Sequence, residues 1–231
     1  MLLLSNSSSE AGYLTHALPW LRETLEDARR AAFVPYAGVT VTWGAYADKV
    51  REALVSLDMD IVSVHETGNP TGLVSEADAV LVGGGNTFHL LREVYRQGLV
   101  ELVRQRVRGG MPYIGWSAGS NLACPTIMTT NDMPVAQPPT FEAFGLVPFQ
   151  INPHFTDAHP PGHRGETRRQ RLAEFVAANP EMPVVGLPEG TALRVASGEI
   201  ALLGAERAVV FDPTSPEGRD ASASEIAALG A

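Results

Sequence analysis

A serine flanked by small residues is the most distinctive chemical feature of the sequence. Ser117 lies in the segment Gly-Trp-Ser-Ala-Gly at residues 115–119, which follows an apolar run and precedes a segment of helical pattern. A tight turn from strand to helix exposes such a hydroxyl, and the following N–H, on Ala118, points to where an oxyanion would form. The pattern predicts a nucleophilic serine, and a serine that only caps the helix is the alternative.

A histidine that could accept the proton of this serine lies further along the chain. His154 is part of the segment Asn-Pro-His-Phe at residues 152–155. An imidazole titrates near neutral pH and can therefore act as the general base. His159 and His163 lie in the loop that follows and compete with His154 for this role.

Two carboxylates could orient the histidine. Asp132 belongs to the segment Thr-Thr-Asn-Asp at residues 129–132, and Glu189 follows a predicted strand at 184–187. A carboxylate bonded to the far nitrogen fixes the tautomer of the base and stabilises its protonated form. The position at a strand end favours Glu189, but acidic residues are also common in turns, so both stay candidates.

A second glycine-rich turn at residues 83–85 also joins a predicted strand to a predicted helix. Glycines allow a ligand to approach bare backbone, and ligands of open α/β sheets bind at the carboxyl ends of the strands. Phe88 stands where a dinucleotide-binding motif needs glycine. A second oxyanion donor is therefore predicted here, with Asn86 and Thr87 as substrate-binding candidates. Both residues could instead cap the following helix.

Three arginines, Arg164, Arg168 and Arg169, lie at the start of another predicted helix. Cations at a helix N-terminus oppose the helix dipole, so their presence requires an explanation. A solvated charged turn is one interpretation. A clamp for the carboxylate of an acidic substrate is the other, because a guanidinium binds a carboxylate through two parallel hydrogen bonds.

The composition limits what the protein can be. The chain has 231 residues, 45% of them hydrophobic and 19% charged, with a formal net charge of -9. These values exclude a disordered chain and a basic nucleic-acid footprint. A single cysteine, Cys124, excludes a disulfide framework and a multi-cysteine zinc site. No apolar run approaches the roughly 20 residues of a membrane span, and no signal peptide is evident, so we expect a cytoplasmic protein without membrane or nucleic-acid partners.

Short apolar runs alternate with helical patterns over the first 120 residues, and closely spaced strands follow residue 184. The alternation predicts a doubly wound α/β domain over residues 1–231, with one mixed, mostly parallel sheet. A helix to Arg30 with a kink or break at Pro19 is expected, and residues 212–231 are expected to be a loose or peripheral tail. The remaining predicted strands are 2–4, 31–34, 61–65, 79–82, 112–116, 184–187, 193–196, 200–203 and 208–211, and the remaining predicted helices are 46–57, 87–96 and 99–108.

Taken together, these segments make the chain resemble peptidase E, the α-aspartyl dipeptidase family of serine peptidases. The resemblance extends from residue 2 to about residue 204 in one order and fades beyond it. The segments that carry it are 5–7, 35–40, 82–88, 113–119, 123–127, 129–134, 151–156 and 186–190.

This resemblance implies a fold like that of class I glutamine amidotransferases and hydrolysis of Asp-Xaa dipeptides without a metal or other cofactor. It implies that Ser117 is the nucleophile and His154 the base, with either Asp132 or Glu189 as the acid. It further implies that the backbone of Gly85 and Ala118 holds the oxyanion. Arg168 is the partner it implies for the aspartate side chain.

The sequence therefore predicts a serine exopeptidase acting on small peptides with an N-terminal aspartate. A related acyl hydrolase, such as a cyanophycinase-like peptidase or an esterase, is the alternative enzyme. A non-catalytic module that binds amino acids in the same crevice is the alternative of another class. The oligomeric state stays open, a homodimer included.

Overall fold

The structure is a computed structural model that describes residues 1–158, 162, 164–205 and 207–230. Strands and helices alternate along the first half of the chain. The strands are β1 Leu2–Leu4, β2 Ser8–Ser9, β3 Gly12–Tyr13, β4 Arg30–Val34, β5 Asp60–Ser63, β6 Ala79–Val82, β7 Tyr113–Trp116, β8 Gln150–Phe155, β9 Val184–Pro188, β10 Ala192–Ala196, β11 Glu199–Leu203, β12 Ala208–Asp212 and β13 Ser215–Ala221. The α-helices are α1 Leu18–Thr24, α2 Trp43–Ala53, α3 Pro70–Glu76, α4 Thr87–Arg96, α5 Leu99–Arg108, α6 Ala118–Ala123, α7 Arg168–Ala178 and α8 Ala223–Ala227.

A seven-stranded mixed sheet forms the centre of the molecule, in the order β11-β10-β1-β7-β6-β4-β5. The five strands from β1 to β5 in this order are parallel, and β10 and β11 extend the sheet in antiparallel fashion. The predicted mostly parallel α/β architecture is thereby confirmed. Because parallel strands end at one edge, the turns after β1, β6 and β7 lie side by side.

Both faces of this sheet are buried, as a parallel sheet covered by helices requires. Leu3 belongs to the apolar cluster on one face, whereas Leu2 and Leu4 belong to the cluster on the other. The alternation follows from the period of two residues along a strand. The nearly continuous apolar sequence of these strands is therefore explained by burial on both sides.

A second sheet accounts for the strands that do not join the central one. Its order is β13-β12-β9-β8, with β8 parallel to β9 and the other pairs antiparallel. The expectation of one sheet therefore needs a correction. Residues 212–230 also differ from the expected loose tail, because β13 pairs with β12 and both Ala221 and Ile226 are fully buried. The polar residues of this segment lie on an edge strand, which is why its composition resembles that of a loop.

Three local expectations differ from the structure. Pro19 lies in the first turn of α1, where its missing N–H removes no helical hydrogen bond. The expected helix is broken before Pro19 and not kinked, because a separate 3₁₀ turn at Thr15–Ala17 precedes α1, which ends at Thr24 and not at Arg30. The strand predicted to reach His65 ends at Ser63, where a capping box with Glu66 begins a short 3₁₀ turn. The helix predicted to begin at Tyr46 begins at Trp43 instead, after the capping residue Thr42.

Candidate active site

Ser117 occupies a strained turn between β7 and α6. Its backbone has φ 52° and ψ −110°, a region that costs a non-glycine residue on the order of 1–3 kcal/mol. The flanking glycines permit this turn, because a Cβ on Gly115 would collide with the carbonyl of Gly119, and a Cβ on Gly119 with the carbonyl of Val82. The Ser117 N–H donates to the Leu4 carbonyl at 3.0 Å, which fixes the turn to the end of β1.

His154 is presented by an irregularity near the end of β8. The pairing of β8 with β9 shifts register between Asn152 and Phe155, and His154 has a φ of 53°. Its N–H donates to the hydroxyl of Ser5 at 2.9 Å, and this hydroxyl donates to the Leu187 carbonyl at 2.8 Å. The fully buried Ser5, directly after β1, therefore connects the histidine to both sheets.

A continuous series of hydrogen bonds joins the serine, the histidine and a glutamate. His154 Nε2 lies 3.0 Å from Ser117 Oγ, and His154 Nδ1 lies 2.7 Å from Glu189 Oε1. Because an ionised carboxylate only accepts, Nδ1 carries the proton and Nε2 is left to accept from the serine. The histidine and glutamate side chains are 38% and 66% exposed, so this end of the series is open to solvent.

Glu189 is held by the turn after β9. The next residue, Gly190, has a φ of 78° and donates its N–H to Asn6 Oδ1 at 2.7 Å. The two residues after β1 thus fix both partners, since Ser5 binds the backbone of His154 and Asn6 binds the turn of Glu189.

Asp132, the other candidate acid, lies at a different place. Its Oδ2 accepts from the N–H of Thr87 at 2.7 Å, from Thr87 Oγ1 at 2.6 Å and from Thr130 Oγ1 at 3.0 Å. This carboxylate therefore stabilises the N-terminus of α4, as expected for a negative charge near the first turn of a helix. None of its hydrogen bonds in the described part of the chain reaches His154.

Thr87 and Asn86, predicted to bind substrate, have different environments. Thr87 is fully buried against Asp132, so it is not open to a ligand, and that prediction needs a correction. Asn86 caps α4 by accepting from the His89 N–H at 3.0 Å, but it also lines the cleft beside Ser117. Both the capping and the substrate-binding interpretations of Asn86 thus have a structural basis.

Two backbone N–H groups are available at the serine. The N–H groups of Gly85 and Ala118 make no hydrogen bond within the described ranges. Gly85 has a φ of 136°, and a Cβ at this position would collide with the carbonyl of Ala37, so only glycine fits. A Cβ on the neighbouring Gly84 would lie 3.1 Å from Ser117 Cβ, which shows how closely this loop approaches the serine.

The serine and the histidine line a cleft of about 670 Å³. Its walls include the loop at 37–41 and the residues at 84–86. Among the described residues that line this cleft, Lys49 is the one that carries a permanent charge, and none is an aspartate or a glutamate. A larger cavity of about 840 Å³, lined by Arg194 and Glu199, contains none of the predicted site residues.

Arg168 is the first residue of α7 and is not among the described residues that line the cleft. Its Nη1 donates to Asn152 Oδ1 at 3.2 Å, and the side chain forms no ion pair with any described residue. Burial, together with the charge of Arg171, lowers the pKa of Arg168 from its usual value. Arg169 differs, because both its Nε and Nη2 bind the Asp157 carboxylate, at 2.6 and 2.8 Å.

Several residues that build the site were not singled out by sequence reasoning. Ser5, Asn6, Tyr46 and Lys49 were not predicted to have a role in it. The only sequence signal for Ser5 and Asn6 is that polar residues directly follow a strand that ends at the ligand-binding edge. The competing histidines, His159 and His163, lie outside the described residues.

The described residues form neither a metal-ion cluster nor a membrane-spanning helix. Over the described ranges, no group of three or more histidine, cysteine, aspartate or glutamate side chains is arranged to hold a metal ion. In the same part of the chain, no helix is long and apolar enough to cross a membrane.

The family model and the curated relatives that match this chain all belong to one group of peptidases. The model of peptidase family S51 matches residues 1–203. Peptidase E of Shewanella amazonensis is 45% identical over 229 residues, which cover 99% of this chain and 97% of that protein. Peptidase E of Salmonella typhimurium is 49% identical over 212 residues, which cover 91% of this chain and 93% of that protein.

Two solved structures share the fold. A Listeria monocytogenes protein assigned to peptidase E superposes with a TM-score of 0.66 at 21% identity, covering 88% of this chain and 97% of its own. A peptidase from an acI-B1 Actinobacterium superposes with a TM-score of 0.66 at 15% identity, and the match covers 97% of this chain and 94% of that peptidase. The predicted resemblance and the predicted enzyme class are confirmed. The chain belongs to peptidase family S51 and is a serine peptidase.

Proposed function

We propose that this chain hydrolyses dipeptides with an N-terminal aspartate through an acyl-enzyme at Ser117. One observation carries the proposal: the hydrogen-bonded series from Ser117 through His154 to Glu189, at a cleft where two backbone N–H groups have no hydrogen bond to any described residue. Nucleophile, base, orienting carboxylate and oxyanion donors are the groups that acyl transfer requires.

The first half of the reaction forms the acyl-enzyme. Ser117 Oγ attacks the peptide carbonyl carbon while His154 Nε2 takes the serine proton, and the carbonyl electron pair moves to oxygen. The N–H groups of Gly85 and Ala118 donate to this oxyanion. His154 then gives its proton to the leaving amine as the C–N bond breaks, which leaves the aspartyl ester on Ser117.

The second half of the reaction returns the enzyme to its starting state. A water molecule gives a proton to His154 Nε2 and attacks the ester carbonyl. The same two N–H groups stabilise the second oxyanion. When the ester bond breaks, the proton passes from His154 to Ser117 Oγ and aspartate is released.

Glu189 is the acid in this proposal. The 2.7 Å contact between its Oε1 and His154 Nδ1 supports the role, since this is the nitrogen that must carry a proton for Nε2 to act as base. Asp132 instead has a structural role in this proposal. It stabilises the start of α4 and thereby the position of the glycine loop at 83–85.

The distribution of cations supports an acidic substrate. Arg168 is a half-buried guanidinium bonded to Asn152, two residues before His154, and it has no carboxylate partner in the described part of the chain. An unpaired buried charge is costly, so a substrate carboxylate that pairs with it would gain affinity. Lys49 places a positive charge in the cleft itself.

The experiment compares Asp-Leu and Asn-Leu as substrates for the wild-type protein, Arg168→Lys and Arg168→Ala. Lysine keeps the charge but lacks the planar fork, so Arg168→Lys is expected to lose about 1–3 kcal/mol in kcat/KM for Asp-Leu. Arg168→Ala is expected to lose more and to narrow the preference for Asp-Leu over Asn-Leu.

Arg169→Ala is the matched control. It removes the neighbouring guanidinium, which is already paired with Asp157, so the preference for Asp-Leu should stay unchanged. If Arg168→Ala cleaves Asp-Leu normally and still rejects Asn-Leu, Arg168 is not the clamp, and Arg164 is the next cation to test.

A second experiment separates this function from the other acyl hydrolases and from a binding module. The wild-type protein is tested with EDTA on Asp-Xaa, Glu-Xaa, Xaa-Asp and a p-nitrophenyl ester, and is treated with a fluorophosphonate. We expect cleavage of Asp-Xaa that resists EDTA, and a covalent adduct at Ser117. Ester cleavage without peptide cleavage would make the chain an esterase, and the absence of any adduct would make it a binding module.

A cytoplasmic location and a homodimer belong to the same proposal. The free and buried Cys124 supports a reducing compartment. Exposed apolar side chains at the rim of the cleft, Val39, Val41 and Val135, support association with a second copy. Cell fractionation and analytical ultracentrifugation test the two statements.

A further inference from the structure

The hydroxyl of Tyr46 forms hydrogen bonds to three neighbouring residues, two of which lie in the glycine loop and at the serine turn. Tyr46 is a buried residue of α2, and its hydroxyl lies 3.0 Å from the Gly84 carbonyl oxygen. The indole Nε1 of Trp116, the residue before the serine, lies 3.0 Å from the same hydroxyl. The hydroxyl of Tyr13 approaches it to 3.1 Å.

The direction of these hydrogen bonds is fixed by the chemistry of the partners. An indole N–H can only donate and a carbonyl oxygen can only accept. Tyr46 therefore accepts from Trp116 and gives its single proton to Gly84. Tyr13 must also donate to Tyr46. Burial raises the pKa of Tyr46 well above its usual value, so the donated proton stays in place over the working pH range.

The bond to Gly84 acts on a single peptide group. The carbonyl of Gly84 and the N–H of Gly85 belong to the same peptide, which is planar and trans, so the two point in opposite directions. Holding the carbonyl towards Tyr46 therefore turns the N–H away from Tyr46. On the other side, the Asn86 N–H donates to the Ala37 carbonyl at 2.8 Å, which fixes the next peptide.

We propose that Tyr46 is a positioning residue for the oxyanion hole: it aims the N–H of Gly85 at the developing oxyanion and holds it in register with Ser117. The register is set through Trp116, whose indole binds Tyr46 while its backbone leads into the serine turn. The bond also polarises the Gly84–Gly85 peptide, which strengthens its N–H as a donor. This inference rests on the serine mechanism proposed above.

Tyr46→Phe is the principal test, because phenylalanine keeps the ring and removes only the hydroxyl. We expect kcat for Asp-Leu to fall by about 10- to 100-fold, less than the loss of a whole oxyanion donor, with KM changed by less than about twofold. Tyr13→Phe is the matched control. It removes a bond to the same hydroxyl but leaves the bond from Tyr46 to Gly84, so kcat should stay within about threefold of wild type.

A second readout separates positioning from a purely structural role. Ser117 Oγ attacks the carbonyl carbon of a trifluoromethyl ketone analogue of the aspartyl residue, its proton passes to His154 Nε2, and the π electron pair of the carbonyl moves to oxygen. The inhibition constant of the ketone therefore depends on how well the hole holds this negative oxygen. Free aspartate, the product, carries a planar carboxylate with delocalised charge instead of a tetrahedral oxyanion, so the hole contributes less to its binding. Tyr46→Phe should weaken the ketone by about the same factor as kcat and change the inhibition constant of aspartate by a much smaller factor. Inhibition constants do not depend on the fraction of enzyme that is folded, so lower stability cannot imitate this result.

The outcomes distinguish this inference from the proposed function. If the wild-type protein cleaves Asp-Leu and Ser117→Ala does not, but Tyr46→Phe keeps its kcat and its affinity for the ketone, the positioning role is wrong and the serine mechanism stands. Parallel weakening of ketone and aspartate would also overturn it, since that is the effect of a damaged cleft. If wild-type protein neither cleaves Asp-Leu nor forms an adduct at Ser117, the proposed function itself fails.

Discussion

Ser117 and His154, the proposed nucleophile and its proposed base, are held in place by different means. The nucleophile region, residues 113–123, lies in the middle of the central sheet, and its backbone is fixed by close contacts at Gly115 and Gly119. The base region, residues 150–155 and 184–191, lies at an edge of the second sheet, where His154 and Glu189 are partly open to solvent. Packing therefore positions the serine, whereas hydrogen bonds position the histidine.

The end of β1 joins these two regions. The Leu4 carbonyl accepts from the Ser117 N–H, while the next two side chains bind the base region. Ser5 accepts from the N–H of His154, and Asn6 accepts from the N–H of Gly190. The distance between nucleophile and base is thus set by three consecutive residues of one strand end.

Loss of the nucleophile is expected to have the largest effect. Ser117→Ala should lower kcat by about 10⁴-fold or more, because the acyl-enzyme can no longer form. The melting temperature should change little, since alanine fits the turn that serine occupies. The rate is measured on Asp-Leu, alongside a thermal melt. Retention of more than about a tenth of the wild-type rate would contradict the mechanism.

Substitution of the two carboxylates should have different effects, because Glu189 contacts the histidine whereas Asp132 stabilises the start of α4. Glu189→Gln should lower kcat by about 100-fold, because the tautomer of His154 is no longer fixed. The loss should be smaller than for a buried triad acid, since solvent can partly replace an exposed carboxylate. Asp132→Asn should change kcat by less than about threefold and lower the free energy of unfolding by about 0.3–1 kcal/mol, through the lost charge at α4.

Steady-state kinetics and thermal unfolding of both variants provide the measurement. Equal and mild losses of kcat in the two variants would mean that neither carboxylate orients the histidine. A larger loss in Asp132→Asn would reverse the assignment made from the contact between Glu189 and His154.

Removal of the link between the two regions should have an intermediate effect. Ser5→Ala should lower kcat by about tenfold, because a small displacement of the base is costly, and should lower the free energy of unfolding by about 1–3 kcal/mol. Ser63→Ala is the control, since this serine is equally buried but lies near the far edge of the central sheet. It should cost stability without changing kcat. Equal effects on kcat would show that the role of Ser5 is only structural.

The nucleophile region is the part that could be predicted best from the sequence. Small residues around Ser117 leave few conformations open, and the apolar periodicity gives α4 and α5 with their observed bounds. Strand ends of a parallel sheet share one edge, so Gly85 and Ser117 could be expected to meet. These predictions succeed because each depends on local sequence and on one general rule of sheet topology.

The base region could be predicted less completely, because its geometry depends on contacts between distant segments. The choice between Asp132 and Glu189 depends on which loop folds over the end of β8. The position of Glu189 at a strand end favours it, but this local signal does not decide the choice. Residues 212–230 look like a loop because β13 is a polar edge strand. The hydrogen bond from Tyr46 to Gly84 joins residues far apart in sequence, so no local sequence pattern predicts it.

The smallest effect is expected for a thiol reagent, which tests whether the nucleophile region stays closed. Cys124 directly follows α6, is fully buried, and accepts at its Sγ from the Ile151 N–H at 3.1 Å. Burial raises the pKa of its thiol to about 12, so only about one molecule in ten thousand carries the reactive thiolate at pH 8.

Iodoacetamide should therefore leave peptidase activity unchanged and add no mass to the native protein, whereas one carbamidomethyl group should appear after unfolding in urea. A fluorophosphonate should label Ser117 in the same native sample, because Ser117 lines the cleft and can be reached by the reagent although the backbone around it is fixed. Rapid alkylation of native protein would show that this region opens as readily as the base region, and the contrast between the two would no longer hold.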